Sequence, residues 1–238
     1  MTRLFVALEL DAPWPEKLPA GRIIEAKHMT LDFLGEADPE EALQNMHRYQ
    51  LKIGPVGYFD KCLALPKRHW RALSWHMVLF TQKEIATDIL AHATIARKPF
   101  DLAAWQKAFI PLPFVATAVH LYESLGNSRY KSLHTHDLVH PFEEMEHTAD
   151  IAFKIRAEHI HELYFTAAIA LSFHYTPFLQ YIEKDGLYTT LDEVVSKLNT
   201  MIALADSAQG CPLKAVSYHG EVRTREDGVL EWEMIVDV

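Results

Sequence analysis

The chain has 238 residues, 49% hydrophobic and 23% charged, the makeup of a globular protein able to bury one large core or two small ones. Its two cysteines, Cys62 and Cys211, exclude a disulfide framework and a cysteine-based zinc site, and suit a reducing cytosol. The net charge of −9 is lopsided: residues 1–140 carry 16 Lys+Arg against 15 Asp+Glu, and residues 141–238 carry 7 against 17, which points to two modules and directs any polyanion to the first.

LFVALEL (4–10) reads as a strand. Glu9, Asp11 and two prolines end its apolar run too early for a signal peptide or a membrane span, so a cytoplasmic protein without a membrane anchor is expected. KHMTLDFLG (27–35) is a second strand, and PEEALQNMHRYQ (39–50) a helix. YFDKCLALPKR and RALSWHMVLF are strands joined at PKRH. KEIATDILAHATIAR begins as a helix and ends as a strand, VATAVHLYES (115–124) is a strand, and the last strand of this half runs to about Val139. HPFEEMEHTAD (140–150) reads as the boundary between a domain at 1–140 and one at 141–238. Beyond it come a strand, IAFKIRAEH, and an apolar helix, HIHELYFTAAIALSFHY. A second helix, TLDEVVSKLNTMIALADS, opens on a capping box of Thr190 and Glu193. Two strands around EDG close the chain. Strands with interspersed helices argue an α+β fold.

Two short motifs repeat: His28-Met29-Thr30-Leu31 and His92-Ala93-Thr94-Ile95, 64 residues apart. On a strand, residues two apart share a face, so each histidine points with its threonine. In a chain with 14 histidines either pair alone also fits an ordinary strand position. Together they suit phosphodiester chemistry. Two imidazoles supply a base for the incoming oxygen and an acid for the leaving one. Two hydroxyls donate to the non-bridging phosphate oxygens. No metal or cofactor is required for this half.

RLFVALEL, KHMTLDFLGEAD, HATIARKPF and VHLYES, in that order, resemble the 2′-5′ RNA ligase branch of the 2H phosphoesterase superfamily. The resemblance spans about residues 1–140. It implies a bilobed α+β fold with two antiparallel sheets and the two motifs facing each other. It also implies RNA as partner, either with a 2′,3′-cyclic phosphate end hydrolysed to a 2′-phosphate or with a reversible 2′-5′ linkage. His28 and His92 match the family's catalytic positions, Thr30 and Thr94 the substrate-binding hydroxyls, and Arg97 an arginine that contacts the phosphate. On strict alternation Arg97 faces away from His92, so its role requires the strand to end or bulge. Phe33 matches an aromatic near the substrate under the same condition, and is otherwise a core residue. The family's proline before the second motif is Ala91 here.

MEHTADIAFKIRAEHIHELYFTAAIAL, PLKAVSYHGEV and LEWEMIVDV resemble archease, with ADSAQGCP in place of the family's middle stretch. That resemblance implies a metal-dependent partner of an RNA-splicing ligase acting in tRNA splicing or RNA repair. Asp150, Asp237 and the Val238 carbonyl match the site for a divalent cation (Ca, Mg or Mn). Lys214 matches a lysine of ligase activation, and His147 the motif histidine. A rival reading makes the whole chain a non-catalytic adaptor that holds RNA ends for a ligase.

Overall fold

The computed structural model describes residues 2–64, 72–80, 91–146, 150–217 and 221–238. The segment expected to begin as a helix over 83–90, the PKRH turn and His147 fall outside them.

The first sheet has eight strands: β1 (Thr2–Asp11), β2 (Arg22–Ile23), β3 (His28–Ala37), β4 (Val56–Ala64), β5 (Ala72–Phe80), β6 (His92–Arg97), β7 (Leu112–Ser124) and β8 (Tyr130–Asp137). Their order is β1-β3-β6-β5-β4-β7-β8, with β2 beside β6, and β7 also pairs β1. Every pairing is antiparallel. Two antiparallel sheets are expected from the sequence. Instead, backbone pairing runs through both lobes, joined at one side by a single pair, Met29–Ala93. At the other side β7 pairs β4 through Leu112–Val115 and β1 through Val115–Glu123.

Period-two patterning explains why these segments are strands. On β1, Leu4, Val6, Leu8 and Leu10 are buried in one core with Met29, Leu31, Ala93 and Ile95. The helix expected over 39–50 breaks in two. Asp38 caps α1 (Pro39–Gln44), accepting from the amides of Glu40 and Glu41 at 2.8 and 3.2 Å. At Asn45 the side chain donates to the Glu41 carbonyl at 2.9 Å, a local alternative to continuing the helix, and a 3₁₀ turn follows at Met46–Tyr49. A helix not foreseen, α2 (Leu102–Ala108), starts on Asp101, whose carboxylate caps the amides of Ala103 and Ala104.

The second half forms a five-stranded sheet from β9 (Phe142–Met145), β10 (Ile151–Ala157), β11 (Ala215–Ser217), β12 (Arg223–Thr224) and β13 (Leu230–Asp237), with α3 (Ile160–His174) and α4 (Leu191–Gln209). The segment read as a boundary thus contains β9, which pairs β10. Arg156, buried on β10, ties three strands together by ion pairs to Glu143 on β9 at 2.7 Å and Glu231 on β13 at 3.0 Å. Its guanidinium holds the Glu143 carboxyl below the usual range.

Helix α3 is apolar almost all round because it is covered on more than one side. Its core takes in Phe153, Trp232 and Met234 from the second sheet and Val56, Tyr58, Phe80 and Val115 from the first. Phe165 stacks on Phe80 at 4.4 Å with the rings 8° from parallel. The core of the second half therefore extends onto the first sheet, beside the first half's own core. No helix among the described residues is long and apolar enough to cross a membrane.

Candidate active site

Strands β3 and β6 lie side by side with Met29 opposite Ala93. Continuing that antiparallel register sets His28 opposite Thr94 and Thr30 opposite His92. The two histidines are then diagonal neighbours, roughly 7–8 Å apart at their backbones, a gap that one phosphate can span with both imidazoles. Met29 and Ala93 are buried beneath, so the four polar side chains share the opposite face.

The same face extends past each threonine. Ala7 pairs Thr30 but Val6 pairs Asp32, so β3 carries one extra residue at Leu31. On β6, Thr94 pairs Ser74 while Ala96 pairs Leu73, so the extra residue is Ile95. Each is a bulge, at the same place in each motif, and each resets the alternation. Phe33 therefore joins His28 and Thr30, opposite Phe5. Arg97 joins His92 and Thr94, opposite Ala72. The condition attached to Arg97 is met. Phe33 is not a core residue: it is 58% exposed, 6.1 Å from the Phe5 ring.

The surroundings of the two histidines differ. The His28 ring sits among Phe5 at 5.3 Å, Tyr122 at 5.8 Å and Tyr130 at 5.0 Å. Its Nδ1 lies 2.9 Å from the Ala26 carbonyl oxygen. A carbonyl only accepts, so Nδ1 carries the proton and neutral His28 presents Nε2 with a free electron pair. Burial lowers its pKa, and the charges of His92 and His120 add to the effect against the Ala26 hydrogen bond. His92 lies across from His76, ring centres 6.1 Å apart. His76 is buried, its Nε2 has no hydrogen-bond partner, and burial lowers its pKa.

Sequence reading missed His76, His120, Glu9, Tyr122 and Tyr130. Glu9 is the cross-strand partner of His28, yet its carboxylate pairs with His120 Nε2 at 3.0 Å. His120 Nδ1 lies 3.0 Å from the hydroxyls of both Ser132 and Thr135, and its ring stacks on Tyr122 at 4.8 Å. Burial, then Glu9, push the Tyr122 hydroxyl up to about 12. The available signal was His120-x-Tyr122 within VHLYES, an alternation that puts both on one face of β7.

Three histidines held below their ordinary 6.5 by burial, His28, His76 and His161, set a pH dependence of stability. Above 6.5 they are neutral in both folded and unfolded chains. As pH falls below that, the unfolded chain takes up protons that the folded one resists, so stability drops. The urea midpoint is expected to fall between pH 7.5 and pH 5, and to fall less in His76→Gln.

In the second half, Ile151 pairs Val236, and that register sets Asp150 opposite Asp237 at the end of the β10–β13 pair. Asp237 Oδ1 accepts from the Ser217 hydroxyl at 2.9 Å. The Lys214 amide donates to the Asp237 carbonyl at 2.8 Å, and its ammonium to the Val238 oxygen. All four expected residues thus gather at one sheet end. Among the described residues no three His, Cys, Asp or Glu side chains form a group suited to a metal ion, so any cation here would draw on two carboxylates and main-chain oxygen. Those oxygens suit a hard divalent cation.

No family model matches the chain, and no curated protein matches it. Among solved structures, it is similar to E. coli LigT complexed with ATP, at 23% identity and a TM-score of 0.37, over 58% of this chain and 98% of that one. A structure described as a phosphoesterase matches at 22% identity and the same TM-score, over 58% and 99%. At such scores the likeness carries no weight for function.

Proposed function

We propose that the first half is a metal-independent 2H phosphoesterase that opens 2′,3′-cyclic phosphate ends of RNA to 2′-phosphates. The observation that carries this reading is the pairing of two H-x-T motifs on adjacent antiparallel strands, with matching bulges that bring Phe33 and Arg97 to the same face. His28, neutral and with its Nε2 free to accept, takes the proton of the attacking water. His92 protonates the departing 3′ oxygen. Thr30 and Thr94 donate to the non-bridging oxygens, and Arg97 neutralises the phosphate. With a 5′-hydroxyl in place of water, His28 takes its proton, the P–O3′ bond breaks with His92 protonating the 3′ oxygen, and a 2′-5′ linkage forms. The test is turnover of a cyclic-phosphate RNA end by the full chain, with a 2′-phosphate as product.

For the second half, Asp150, Asp237 and the Val238 oxygen are proposed to hold a divalent cation, with Lys214 beside it, in a module that serves an RNA-splicing ligase. The register that places Asp150 opposite Asp237 supports this reading. Calorimetry with Ca²⁺, Mg²⁺ and Mn²⁺ is expected to show binding by the parent and its loss in Asp150→Asn. Equal binding by both rules the site out.

A further inference from the structure

Arg22 lies on the short strand β2, directly opposite Arg97 on β6. Cross-strand partners share a face, so Arg22 extends the row of His92, Thr94 and Arg97. Two like charges placed opposite each other in a sheet repel. Residues 1–140 offer 15 Asp+Glu that could relieve them. Yet neither arginine takes part in any ion pair among the described residues, and the Arg97 Nε is buried without a hydrogen-bond partner.

The backbone under Arg22 is built, not loose. The Ile24 amide donates to the Ile95 carbonyl at 2.9 Å, on the bulge residue itself. Two residues before Arg22, the Ala20 carbonyl accepts from the indole of Trp105 at 3.1 Å, and that tryptophan is 1% exposed. The exposed Arg22 side chain is therefore presented from a fixed position. Two guanidiniums with no ion-pair partner among the described residues, one carried on a fixed backbone, at the edge of a phosphate site are matched by more than one phosphate.

We infer that Arg22 forms, with Arg97, a subsite for the phosphodiester next to the reacting end, so that the enzyme selects oligonucleotides over free cyclic mononucleotides. This rests on the phosphoesterase reading of the same face. Arg97 serves the reacting phosphate; Arg22 serves its neighbour, which a mononucleotide lacks.

The test compares kcat/KM of the full chain for a trinucleotide ending in a 2′,3′-cyclic phosphate with that for 2′,3′-cyclic AMP. The parent prefers the trinucleotide, and in Arg22→Gln that preference falls at least about tenfold, with partial recovery in Arg22→Lys. The salt dependence of trinucleotide KM becomes shallower by about one charge in the log–log slope. An unchanged preference overturns the subsite, as does an equal fall for both substrates, the mark of a structural role. If the parent turns over neither substrate, the phosphoesterase reading fails, and fluorescence polarisation with a labelled trinucleotide then decides Arg22 on its own: weaker binding with a shallower salt slope in Arg22→Gln supports the subsite, and identical binding removes it.

Discussion

Replacing His28 or His92 by alanine is expected to lower turnover of a cyclic-phosphate RNA end by about 10²–10⁴-fold each. The two losses differ in character because the environments differ. Among Phe5, Tyr122 and Tyr130, with Nδ1 committed to Ala26, His28 is held neutral, as the base of the proposed reaction must be. A base acts only when unprotonated, so kcat/KM falls as pH drops through the His28 pKa. Burial and the nearby histidines lower that pKa, so the acid limb lies below the ordinary 6.5. In His28→Ala that limb disappears from the residual rate; in His92→Ala it stays. A pH profile that keeps the acid limb in His28→Ala contradicts these roles. Since the two groups act on one transition state, the double variant is expected to lose less than the product of the single losses.

Gly54→Ala is expected to destabilise the fold by at least about 3 kcal/mol, the upper end of overpacking effects. A Cβ at this position would stand 1.8 Å from the Ala116 carbonyl oxygen. Neither backbone can yield cheaply. The Gly54 amide donates to the Val139 carbonyl at 3.0 Å, and the Ala116 amide to the Pro55 carbonyl at 2.8 Å. Ala116 also pairs Leu10 on β1. Any shift that admits the methyl group therefore breaks ladder bonds on both sides of β7, the strand that joins the two lobes. Urea unfolding against the parent measures the loss; a change under about 1 kcal/mol, ordinary for a surface substitution, contradicts the close approach.

Much of the first half was legible because its strands obey period two. Each of the main strands read from LFVALEL, KHMTLDFLG, HATIAR and VATAVHLYES forms close to its expected position. The bulges at Leu31 and Ile95 were not. Alternation alone sends Phe33 and Arg97 to the wrong face, and no residue type marks a bulge when neither glycine nor proline is needed. The signal was the spacing itself: Phe33 stands five residues after His28, and Arg97 five after His92. Strand β9 was hidden by acidic residues, since Glu143 and Glu144 read as linker until Arg156, thirteen residues on from Glu143, supplies the partner that makes one of them structural. Helix α2 is short, and only its Asp101 cap announces it. The gathering of Asp150, Asp237, Val238 and Lys214 follows from strand register, which the sequence specifies only once both partners are known.

The proposed reaction, cleavage of a cyclic phosphate by two histidines on adjacent strands without a metal, is checked by incubating the full chain, in chelator, with a 5′-labelled oligoribonucleotide ending in a 2′,3′-cyclic phosphate and identifying the phosphate position in the product. The expected product is a 2′-phosphate, formed in chelator by the parent and at least about 10²-fold more slowly by both His28→Ala and His92→Ala. An end that stays cyclic with the parent, or turnover at the parent's rate in both variants, would contradict it.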